Sequence, residues 1–90
     1  MPPAIHLRYG GRDWSIVIVK SDDRGAFIEL RSTLDTDTMV YGTVTLDTDP
    51  QSCAFTVHRA NLPYTILRAL VQVVEAEIRR LGIRFELEMR

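Results

Sequence analysis

Cysteine is almost missing from the 90-residue chain: Cys53 is the single example, so no intramolecular disulfide can form. A reducing, cytoplasmic setting is the expectation. Lysine is equally scarce. Lys20 is the only one among eleven basic residues, an arginine bias of the kind GC-rich bacterial or phage genomes produce. No apolar run approaches the roughly 18 residues of a membrane span, and the opening MPPAIHLRYGG has no apolar segment of the signal-peptide type. Neither a secretion signal nor a membrane partner is therefore expected. Only two histidines, His6 and His58, are available for acid–base work. Gly-x-Ser-x-Gly, His-Glu-x-x-His, phosphate-loop and dinucleotide glycine patterns are absent from the sequence. Cys53 and His58 lie five apart on an alternating segment and so face opposite ways, which argues against a nucleophile pair. No catalytic residue, cofactor or metal site is expected, and the chain reads as a non-enzyme.

What is present is alternation. Residues 4–9 place Ile5, Leu7 and Tyr9 on one face, and Gly10-Gly11 supply a tight hairpin turn. Residues 12–20 are apolar on both faces, Trp14, Ile16 and Ile18 against Val17 and Val19. After the turn SDDRG, residues 26–31 put Ala26, Ile28 and Leu30 inward. A polar link over 32–38 precedes a fourth strand, 39–46, with Val40, Gly42, Val44 and Leu46 inward. A fifth, 53–58, turns Cys53, Phe55 and Val57 inward. The period then changes. Between Leu62 and Leu81 apolar residues fall at 67, 70, 71, 74, 78 and 81, which is the stripe of a helix, with Asn61 as its N-cap and Gly82 as its stop. The chain ends on a strict alternation over 83–90 that predicts a last strand. The expected architecture is one α+β domain over 1–90. It is a two-layer sandwich of five to six mainly antiparallel strands in the order β-β-β-β-β-α-β, with one long helix on one face.

The nearest approach to a chemical motif is Thr-Leu-Asp-Thr-Asp, which occurs at 33–37 and again at 45–49. Asp35, Asp37, Asp47 and Asp49 suggest a cation site until the strand between them is considered. It holds the two pairs roughly 30 Å apart, and each pair alone offers too few oxygens for calcium. Turn chemistry at both ends of one strand is the simpler reading.

Charge is uneven. The formal net charge is −1, but residues 32–58 contain four aspartates and no Lys or Arg. With the helix on one side, the reverse sheet face is expected to expose Val17, Val19, Phe27, Met39, Tyr41, Thr43 and Thr45, an apolar patch of the type that marks an interface. The function that follows is protein binding, to a partner or to a second copy as a homodimer. The chain would act as an inhibitor, immunity or accessory protein through this face, or through Asp35, Asp37, Asp47 and Asp49 set into a basic groove. The alternative is a nucleic-acid surface on the same face, with Phe27 and Tyr41 stacking bases and Arg8, Arg12, Arg24, Arg31, Arg84 and Arg90 meeting phosphate. Glu29, Glu86 and Glu88 on that face, the acidic middle and the lack of net positive charge oppose it.

Overall fold

A computed structural model describes residues 4–58 and 61–84. Five strands, β1 (Ala4–Tyr9), β2 (Arg12–Ser21), β3 (Gly25–Leu34), β4 (Asp37–Thr48) and β5 (Gln51–Val57), are followed by one helix, α1 (Tyr64–Leu81). The sheet is an antiparallel meander in the order β1-β2-β3-β4-β5. This is the α+β sheet-and-helix sandwich that the patterning predicts. The alternation over 83–90 falls largely on residues 85–90, which lie outside the described residues. Ile83, at its start, is buried in the core.

Local chemistry accounts for the turns. Gly10 and Gly11 both take positive φ, 63° and 74°, as a two-residue hairpin with the right strand twist demands. Asp22 closes the next hairpin, its Oδ1 accepting the N–H groups of Arg24 and Gly25 at 2.9 and 3.0 Å. Those two bonds, that from Arg24 first, hold its carboxyl below the usual 3.8. Gly25 is needed for a different reason. A Cβ there would stand 2.1 Å from the Leu46 carbonyl oxygen, because β3 and β4 approach closely at this point.

Three expectations need correction. The segment 32–38 is not a polar link. Ser32, Thr33 and Leu34 continue β3, and only Asp35 and Thr36 turn, Asp35 at φ 56°. Ser32 reads as loop by type, yet it is fully buried and accepts a 2.9 Å hydrogen bond from Arg12 Nε. The helix starts later than Asn61, whose φ is 66°. Its N-cap is Pro63, with no side-chain cap and no acidic residue in the first turn. The third correction concerns faces, and its cause is two β-bulges.

Opposite β3, Leu30 pairs with Gly42 but Arg31 pairs with Val40, so Tyr41 is an extra residue. Opposite β3 on the other side, Ile18 pairs with Ile28 but Lys20 with Phe27, so Val19 is extra. Each insertion reverses the alternation beyond it. Val40 therefore joins the row of Arg31, and Met39 the row of the buried Ser32. Tyr41 packs edge-on against Trp14, ring centroids 4.9 Å apart, with the Arg12 guanidinium 5.5 Å from its own centroid.

The core lies between sheet and helix. Trp14, Ile16, Ala26, Ile28, Leu30, Val44 and Leu46 meet Ile66, Leu70, Val73 and Val74, with Ile83 closing one end. A polar clamp fixes the C-terminal half of the helix to the β2–β3 turn. Glu77, itself buried, accepts from Ser21 Oγ and Arg80 Nε, while Arg80 also donates to the Asp22 carbonyl.

Candidate interaction surface

The helix is too narrow for its sheet. Five strands at roughly 4.8 Å each make a layer about 24 Å wide, whereas a helix with its side chains is about 10 Å across. Accordingly α1 rests on β2, β3 and β4 and leaves β1 and β5 largely uncovered on the same face. On one flank a groove of about 480 Å³ opens between β1 and α1. Ile5, Leu7 and Ile18 line it from the sheet and Ala69, Val73 and Ala76 from the helix, with Gln72, Glu77 and Arg80 at its rim. On the other flank, Phe55 and Val57 belong to the helix-side row of β5, since they pair with Val44 and Gly42, yet they are 50 % and 60 % exposed. By helical spacing Leu67, Val71 and Ile78 face this second flank, opposite the groove-lining residues. Leu67 and Val71 are exposed.

The reverse face is different in kind. Val17 lies on it, in register with Glu29, but is only 6 % exposed, covered by its neighbours. Phe27, Thr43 and Thr45 are half-buried on the same face. Polar groups there satisfy one another: His6 Nδ1 with Ser15 Oγ at 3.1 Å, Arg8 with Asp13 at 2.9 Å, Arg31 with Glu29 at 3.2 Å. Of the residues expected to form an apolar reverse patch, Val17, Phe27 and Thr43 do lie together there. Val19 projects from a bulge, Met39 shares the helix-side row, and Tyr41 packs on Trp14. Val40, in the row of Arg31, is exposed on it. Most of the exposed large apolar side chains lie instead on the helix side.

Two of the cations invoked for nucleic acid, Arg8 and Arg31, are paired with carboxylates, and Arg12 is turned toward Ser32 and Tyr41. The four aspartates do not come together. Asp35 sits in the β3–β4 turn and Asp37 begins β4, while Asp47 and Asp49 stand at its far end, roughly 33 Å along the strand from the first pair. Among the described residues no three His, Cys, Asp or Glu side chains converge. Cys53 is half-buried against the core, and burial pushes its thiol above the ordinary range. No helix among the described residues is long and apolar enough to cross a membrane.

The signal that could have located this surface was width. Five strands and one helix cannot make matching layers, and the edge strands must then bear the mismatch. No family model, curated protein or solved structure matches the chain.

Proposed function

We propose that this chain is a small, non-enzymatic protein-binding module, and that it receives an extended segment of a partner protein in the groove between β1 and α1. One observation carries the reading. An apolar trough of about 480 Å³ lies between the helix-side face of β1 and α1, and no described strand pairs with the outer edge of β1. An added strand would bond its backbone to β1 and bury alternate side chains against Ile5, Leu7, Ala69 and Val73. A small apolar ligand would fill the trough but leave the β1 backbone groups without use. The rim charges Glu77 and Arg80 already neutralise each other, so the groove favours an uncharged, alternating segment over an acidic or basic one. The acidic ends of β4 are not part of this surface.

The test is selection of peptides from a displayed random library. Ligands with apolar residues at every second position should be enriched, and Ala76→Arg, at an exposed position on the groove wall, should weaken them at least ten-fold while leaving circular dichroism unchanged. Peptides that bind both forms equally would place the site elsewhere.

A further inference from the structure

The β1 hairpin fixes the direction and register of the groove's occupant. Gly10 and Gly11 form a two-residue loop with positive φ at both positions, so Tyr9 and Arg12, which flank it, exchange both of their backbone hydrogen bonds. Bonded and non-bonded pairs alternate along an antiparallel ladder. Tyr9, Leu7 and Ile5 therefore direct their N–H and C=O groups to β2, and those of Ala4, His6 and Arg8 point away from the sheet. The side chains divide the other way. Ile5 and Leu7 line the groove, while His6 and Arg8 stand on the reverse face, bonded to Ser15 and Asp13. The helix wall runs opposite to β1, because Ser21 and Asp22 hold its C-terminal half at the end of the sheet where β1 begins. Ala76 thus stands toward Ile5 and Ala69 toward Leu7, and both walls are small enough to leave room for a large side chain.

We propose that the occupant is an uncharged strand of a partner protein, antiparallel to β1, with two large apolar side chains at i and i+2 in the groove. The residue between them exchanges both backbone hydrogen bonds with His6. The apolar pair then lies opposite Ile5 and Leu7, whose own i to i+2 spacing it shares. Antiparallel addition continues a sheet in which every neighbouring pair is antiparallel, and it gives the slightly more stable ladder per residue. Charge agrees with a neutral occupant, since Arg8 is paired with Asp13 at 2.9 Å and Arg80 with Glu77. Chain reach makes the source a different molecule. Arg84 donates its N–H to the side chain of Gln51, which begins β5 on the opposite edge of the sheet. A strand outside β1 would lie five strand spacings away, about 24 Å, and six extended residues span at most about 21 Å, so residues 85–90 fall short. Residues 1–3 join β1 at its own first described residue, too few to turn back along it, and two of them are proline, which has no N–H for a ladder. Residues 59 and 60 belong to the connection from β5 to α1.

This register rests on the reading of the β1 groove as a peptide-binding site and adds to it. The experiment is an N-methyl scan. The probes are acetylated, amidated five-residue peptides that carry, at their second and fourth positions, the apolar pair enriched by selection on the full chain. Each probe has one backbone amide methylated, which removes a donor and keeps the side chain. In the antiparallel register the third residue's N–H bonds the His6 carbonyl, and those of the second and fourth residues face away from β1. Methylation of the third residue should therefore weaken binding roughly ten-fold or more, and methylation of the second or fourth by less than about three-fold. Weakening at the second and fourth but not the third would mean a parallel strand, whose groove-facing residues carry the bonding N–H groups, and would overturn the register. Equal weakening at all three, or none at any, would overturn it as well. If selection yields no peptide sensitive to Ala76→Arg, the groove reading itself fails and the register with it. A sensitive peptide with the wrong methylation pattern removes the register alone, so the two failures are distinct.

Discussion

At the scale of single residues, the turns are written in side chains that bond their own backbone. Asp22 is the clearest case. It is only half-exposed, its carboxylate accepts two backbone N–H groups, and Lys20 stands nearby at 3.6 Å. A carboxyl whose pKa is lower folded than unfolded stabilises the fold above the unfolded value, and that contribution is lost as pH falls through the folded value. The loss at Asp22 therefore begins near 3.8 and continues below it. Asp22→Asn should remove this part of the acid limb in denaturant midpoints measured from pH 6 to pH 2, while the rest of the curve keeps its shape. An unchanged acid limb would show that the carboxylate charge is not used at this turn. Such turn residues were legible in the sequence because their chemistry is local. Ser32 was not, since nothing in its type reveals that Arg12, twenty residues earlier, bonds it inside the sheet.

At the scale of elements, the strands and the helix were legible and the bulges were not. Alternation over 12–20 and 26–31 identifies β2 and the first part of β3, and the 3.6-residue stripe identifies α1. A bulge adds one residue without a compositional mark, and that single insertion sends Met39 and Tyr41 to the side opposite the one simple alternation gives. The helix N-terminus departs from the sequence pattern for a related reason. Asn61 has the right side chain for a cap, but its backbone is left-handed and the cap position falls to Pro63, which has no acceptor to offer. The first turn of α1 thus lacks both a side-chain cap and an acidic residue. Pro63→Asp would supply an acceptor and favourable charge at the positive end of the dipole, and should stabilise the protein by about 0.5–1 kcal/mol in urea unfolding. No gain, or a loss, would mean that the fixed φ of Pro63 matters more than the missing cap.

At the scale of the whole molecule, the governing fact is a mismatch of widths. The protein is a slab of 43 × 37 × 18 Å in which one helix covers the middle strands of five. Composition alone indicates an apolar excess beyond what one helix can hide. It does not tell on which side the excess lies, because the answer turns on two bulges and on how far α1 reaches across the sheet. The geometry places most of the excess beside the helix, in the β1 groove and along β5, and leaves the reverse face with threonines, paired charges, a covered Val17, a half-buried Phe27 and an exposed Val40. Peptide capture by three proteins, wild type, Ala76→Arg in the β1 groove and Thr43→Lys on the reverse face, tests that placement most directly. The account predicts that wild type and Thr43→Lys bind the selected peptides equally and that Ala76→Arg binds them at least ten-fold more weakly. Binding lost in Thr43→Lys and kept in Ala76→Arg would contradict it.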